Sequence, residues 1–127
     1  MAAANNQLMN SIFVKSSYGR YSMDEIIREF RSKLAESLNG SIIQKMVLFG
    51  SYAKNTAGDD SDIDLCIIYD ETAITEFKIN IIVDSVADDL LGKYGVIIHA
   101  LCFPSKYYSE NRSSRLFTDI AREGVPC

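Results

Sequence analysis

Apolar residues recur at helical spacing between Ile26 and Leu38, at Ile26, Ile27, Phe30, Leu34 and Leu38. Ser22 followed three places later by Glu25 has the form of a capping box, and Asn39-Gly40 ends the run, so the pattern predicts an amphipathic helix over 23–38. Residues 1–20 lack a clear period and read as a loose lead-in to a single domain over 21–127. Ile42 to Phe49 is an apolar run of strand length that stops at Gly50. A second strand places Ile63, Leu65, Ile67 and Tyr69 on one face and Asp62, Asp64, Cys66 and Ile68 on the other. Over 72–91 the β-branched cluster Ile79, Ile81, Ile82, Val83 would suit a strand, but Ile79, Ile82, Val83, Val86 and Leu90 share a helical stripe. Length and the following Gly92 favour the helix. A third strand runs from Val96 to Phe103 and stops at Pro104, which cannot continue a ladder. Ser113-Ser114-Arg115 opens a last short helix with Leu116, Phe117, Ile120 and Ala121 inward, closed by Gly124-Val125-Pro126. This order predicts an α/β domain with helices packed on a small sheet.

With 127 residues, 47% apolar and 24% charged, the chain has the make-up of one soluble globular domain. A formal net charge of −4 argues against coating DNA or anionic lipid through bulk charge. That charge is unevenly spread. Residues 59–89 hold ten acids and one base, Lys78, a local charge of −9. The three cysteines, Cys66, Cys102 and Cys127, show no zinc spacing, and their odd number disfavours a disulfide framework. A reduced, cytoplasmic protein is expected. No signal peptide and no membrane-spanning run is evident.

The strongest chemical signal is Gly50-Ser51, ten residues, then Asp62-Ile63-Asp64. A glycine ending a strand lets backbone N–H groups approach phosphate oxygens, and Ser51 adds a hydroxyl at the start of a helical turn that favours anions. Asp62 and Asp64, two apart on a strand, project from one face. Two such carboxylates repel unless a cation lies between them, and Mg²⁺ binds through one or two carboxylates plus substrate phosphates. Two exposed strand carboxylates with no such role are the weaker reading, since like charges on one face are unfavourable.

On these residues the chain resembles the minimal nucleotidyltransferases of the DNA polymerase β superfamily. The resemblance extends to the apolar strand before Gly50, the helix between the second and third strands, and a tail carrying Ser114, Phe117, Ile120, Glu123 and Gly124. It implies the nucleotidyltransferase fold, α/β (α+β) with a small mixed sheet. It also implies transfer of a nucleoside monophosphate, AMP from ATP first among the choices, to a hydroxyl with release of pyrophosphate. Asp62 and Asp64 become catalytic Mg²⁺ ligands, and Gly50, Ser51 and Lys54 the nucleotide grip. Small members are often encoded beside a helical HEPN partner, and some adenylylate a tyrosine on it as antitoxins.

The chain departs from the family pattern in two places. The later strand, Val96 to Phe103, contains no acid where a third carboxylate is usual. His99, the only histidine, could replace it as a metal ligand or proton acceptor, or could simply edge a packed strand. Lys54 and Asn55 stand where relatives carry Arg-Gly; lysine keeps a point charge but loses the bidentate fork. Asp59 and Asp60 read as turn formers, and Asp84, Asp88 and Asp89 as a solvated helix face. Cys66 reads as a buried structural thiol, and Tyr107-Tyr108 as core or rim packing. Two other functional classes remain open: a degenerate nucleotide- or partner-binding module without transfer, and a small-molecule nucleotidyltransferase of the antibiotic-modifying kind. The latter needs an acceptor surface from a second chain or a homodimer.

Overall fold

The computed structural model describes residues 8–59 and 61–127. Residues 1–7 of the expected lead-in, and Asp60, lie outside that set. The elements are β1 (Phe13–Ser16), β2 (Gly19–Ser22), α1 (Met23–Ser37), β3 (Ile43–Phe49), α2 (Gly50–Ala53) and β4 (Ile63–Tyr69). There follow α3 (Glu76–Tyr94), β5 (Ile98–Pro104), α4 (Ser105–Glu110), α5 (Arg115–Glu123) and β6 (Val125–Pro126).

Four strands form a mixed sheet in the order β5-β4-β3-β6. β3 runs antiparallel to β4 and β6, while β5 lies parallel to β4. One face carries Met46, Leu48, Ile63, Leu65, Ile67 and Tyr69, on which α1 and α3 lay Ile26, Phe30, Leu34, Ile79, Val83 and Leu90 to form the main core. The other face is covered more sparingly, by a small cluster of Val47, Cys66 and Ile68 with Phe117 and Ile120 of α5. Each strand thus alternates between two cores, which is why β4 is buried along nearly its whole length.

Helix α1 starts where the capping box placed it, with the Ser22 hydroxyl accepting from Glu25 N at 3.1 Å. Helix α3 starts later than residue 72, because Asp70 forms a turn instead. Its carboxylate accepts from Thr72 N at 2.9 Å, and Thr75 then caps α3 by accepting from Lys78 N at 3.2 Å. The helix also runs past Gly92 and ends at Gly95, whose φ of +70° supplies the left-handed cap.

Residues 13–20 are not loose. They form most of the β1–β2 hairpin, in antiparallel register from Phe13 opposite Ser22 to Ser16 opposite Gly19. Val14 is fully buried, whereas Phe13 is exposed with the Arg20 guanidinium 4.3 Å over its ring. One buried residue in so short a strand leaves no period to read. The hairpin fastens onto the end of α3: Ser16 Oγ donates to the Tyr94 carbonyl, and the Tyr21 ring meets the Tyr94 ring edge-on at 4.7 Å.

Three further differences fall near the C-terminus. Helix α4 follows Pro104 directly. In α5, Phe117 and Ile120 face inward as expected, but Leu116 and Ala121 are exposed, since only a narrow stripe of this helix meets the sheet. Val125 and Pro126 do not merely close the helix; they pair with Leu48 and Val47 as edge strand β6.

Candidate active site

Asp64 lies near the start of β4, on the sheet face that α5 covers only in part. In register beside it are Phe49 on β3 and His99 on β5. His99 Nδ1 lies 3.5 Å from Asp64 Oδ1. The His99 side chain is largely exposed, while Asp64 retains about a quarter of its surface, 26%. Partial burial holds the Asp64 carboxyl above the usual carboxylate range; His99 opposes that shift, and the charge of Asp62 adds to it. Asp62 itself is exposed, just ahead of β4 rather than within it.

The turn after β3 explains the Gly-Ser pair. Gly50 adopts φ +76°, a backbone that L side chains rarely take. A Cβ there would also run into the Asp64 carboxylate, with the Asp64 Cγ at 3.1 Å. Glycine therefore lets the turn and the carboxylate occupy adjoining space. Ser51 follows within α2, and its carbonyl accepts from Thr56 N at 2.9 Å, folding the next loop back onto the turn. The first N–H groups of a helix lack intrahelical acceptors, and those of α2 lie at Gly50 and Ser51.

Lys54 caps α2, its N–H donating to the Gly50 carbonyl at 3.1 Å. Its ammonium lies 4.0 Å from Glu123 at the end of α5, a half-exposed and therefore weak pair. Asn55 takes φ +59°, the one positive φ among described non-glycine residues. That conformation suits Gly and tolerates Asn, which accounts for the replacement there.

Other candidates resolve into packing or surface. Asp59 pairs with Lys15 of the hairpin at 3.7 Å, both exposed. Asp84, Asp88 and Asp89 are exposed on α3. Cys66 is buried, and its thiol is pushed up to about 11 by desolvation. Tyr108 meets the Phe117 ring edge-on at 4.9 Å, and Tyr107 stacks on Phe103 at 5.9 Å, so both tyrosines belong to the rim of the smaller core.

The pattern of Gly50, Ser51, Asp62, Asp64 and His99 drew attention to polar groups and missed their apolar surroundings. Phe49, in register with Asp64, and Leu101, two places after His99 on β5, share the face of Asp64 and His99. Strand parity alone was enough to place them there. Among the described residues no three His, Cys, Asp or Glu side chains are gathered so as to hold a metal ion by themselves. Asp62 lies near enough for its charge to act on the Asp64 carboxyl, and two such carboxylates would hold a cation only together with ligands from outside the chain, as Mg²⁺ commonly takes them from substrate phosphates. No helix of the described residues is long and apolar enough to cross a membrane.

Two proteins of Methanocaldococcus jannaschii, each named "Putative protein adenylyltransferase", resemble the chain in sequence. One is 30% identical over 80% of this chain and 93% of its own length. The other is 30% identical over 62% of this chain and 77% of its own length. Two crystal structures share the fold. A "putative nucleotidyltransferase" from Sulfolobus solfataricus superposes with a TM-score of 0.51, at 14% identity, over 86% of this chain and 78% of that one. A toxin–antitoxin structure with AMP-PNP gives 0.53, at 22% identity, over 78% of this chain and 69% of that one. The model of the nucleotidyltransferase domain family matches residues 24–116, which contain every strand of the sheet except the short edge β6. With its family match spanning the Gly-Ser turn, both aspartates and His99, the chain belongs to the nucleotidyltransferase domain family and is a nucleotidyltransferase.

Proposed function

We propose that this protein transfers AMP from ATP to a hydroxyl of a protein partner, a tyrosine on a HEPN-type protein being the acceptor the family resemblance favours. The observation that carries the reading is the seating of the Asp64 carboxylate against Gly50 and beside His99, on the sparsely covered face of the sheet. The names of the Methanocaldococcus relatives support adenylyl transfer to protein. The toxin–antitoxin neighbour with AMP-PNP is in keeping with an adenine nucleotide and a partner chain.

In this reading the donors around Gly50 and Ser51 grip the outer phosphates, and Lys54 adds a positive charge at the rim of the turn. Asp62 and Asp64 would hold Mg²⁺, which supplies charge neutralisation at the triphosphate. His99 turns Nδ1 toward Asp64, leaving Nε2 to accept the proton of the acceptor hydroxyl. The acceptor oxygen bonds to the α-phosphorus, the bond to the bridging oxygen breaks, and pyrophosphate leaves. Phe49 and Leu101 give the reacting groups a partly apolar floor.

The test is incubation with labelled ATP, CTP, GTP or UTP, Mg²⁺ and the protein encoded beside it, with mass spectrometry of both chains. An added AMP on a partner tyrosine is the expected result. Transfer that survives Asp62→Asn/Asp64→Asn overturns the two-carboxylate mechanism, and nucleotide binding without transfer points to a binding module.

A further inference from the structure

Helix α3 is apolar on two sides. Its inner stripe of Ile79, Val83 and Leu90 is consumed by the main core. Its outer side nevertheless presents Phe77 at 75% exposure and, one turn on, Ile81 at 52%. Beside them Ile82 lines two adjoining grooves. One, of about 410 Å³, lies between the end of α1 and the loop over residues 71–75; the other, of about 240 Å³, lies between α1 and α3. Neighbouring exposed apolar side chains bordering a groove mark interaction sites far more often than scattered ones do.

The charge around this strip selects the occupant. Glu76, Asp84, Asp88 and Asp89 are exposed on α3, and Glu36 and Glu71 line the grooves, against Lys33, Lys78 and Lys93. Asp84 and Asp88 continue the outward stripe that Phe77 and Ile81 begin, at helical spacings of three, four and seven. From Phe77 to Asp88 the stripe spans about 16 Å, three helical turns. An acidic helix or an anionic membrane surface would be repelled; a helix whose apolar residues are flanked by Lys or Arg would be matched in both respects.

We infer that the outer face of α3 and the grooves beside it form a docking surface for a basic amphipathic helix of a partner protein. The surface lies across the sheet from Asp64 and His99, so an occupant would leave the catalytic face open. The inference does not depend on the transfer chemistry proposed above.

The test uses the whole protein and a synthetic labelled helix of about 18 residues, with Leu along one stripe and Lys and Arg elsewhere. Controls are the same peptide with Glu for every base and a scrambled order of the basic one. Fluorescence anisotropy should give binding by the basic helix at least about tenfold tighter than by either control, weakening with salt. NMR shifts should concentrate on residues 74–89. Phe77→Ser/Ile81→Ser should weaken binding about tenfold with an unchanged Tm, and Asp84→Lys/Asp88→Lys should weaken it comparably while flattening the salt dependence. Three results overturn the inference: equal binding of the scrambled peptide, binding unaffected by both double variants, or no binding. Sedimentation showing self-association that Phe77→Ser/Ile81→Ser abolishes would assign the surface to a second copy instead.

Discussion

The Asp64 carboxylate occupies the space that a side chain on residue 50 would need. The glycine of the turn and the aspartate of the strand are therefore a single steric unit. Gly50→Ala meets both a disfavoured φ and a collision with the carboxylate, and should cost about 2–3 kcal/mol of stability. Nucleotide transfer should fall by about 100-fold or more even in the folded fraction, because the carboxylate is displaced. Denaturant melts and a transfer assay on the same sample separate the two effects.

Asp64 should also carry a stability cost that its function requires. Burial raises its carboxyl in the folded state, so the folded protein binds this proton more tightly than the unfolded chain. Ionisation then costs stability as pH rises through the ordinary carboxylate range, and the full cost is present above the raised value. Asp64→Asn should therefore be more stable than the parent at neutral pH in EDTA, with the gap closing in acid, while transfer is lost. Equal melting temperatures at neutral pH would contradict this.

His99 stands in register with Asp64, on a strand that contains no acid. His99→Ala should lower kcat by about 10- to 100-fold with a smaller change in KM. His99→Asp should recover part of that loss and tighten the dependence on Mg²⁺. An unchanged turnover and metal dependence in both variants would reduce His99 to a strand-edge residue.

Gly124 adopts an ordinary backbone but has no room. A Cβ there would collide with the Ile120 carbonyl and the Val47 side chain, where α5 turns into β6. Gly124→Ala should cost about 2–3 kcal/mol, read as a lower denaturation midpoint with an unchanged m-value. A neutral result would show that β6 can shift without penalty.

The three thiols should be slow to react. Desolvation pushes Cys66 and Cys127 up to about 11 and Cys102 up to about 12, leaving almost no thiolate at neutral pH. Labelling by DTNB should be at least about 100-fold slower than for free cysteine and should reach completion only in denaturant. Rapid labelling of any one in the native protein would mean that its burial is transient.

Elements whose burial follows one period were legible in the sequence, and those fixed by isolated contacts were not. Ile26, Phe30 and Leu34 announce α1, and the alternation around Leu65 and Cys66 places Asp64 and its neighbours on the correct face. The β1–β2 hairpin rests on Val14 and on a rim contact between Tyr21 and Tyr94, neither of which leaves a repeat. The start of α3 was misplaced because an Asp70 turn is energetically local and competes with helix. At the site, residue types and spacing suggested the polar groups. Only the parallel register could show that the sole histidine faces Asp64.

The hairpin has a reach beyond its size. Gly95, where α3 stops, is so closely fitted to it that a Cβ would touch Ser16 Oγ and the Tyr18 ring, each at 3.0 Å. Three residues later Ile98 enters the sheet beside Ile63. The clasp thereby fixes the point from which the chain enters β5. A slip of one residue would turn His99 to the opposite face and bring an apolar neighbour beside Asp64. The β1–β2 hairpin thus braces the approach to the strand that carries His99, at a distance from the site itself.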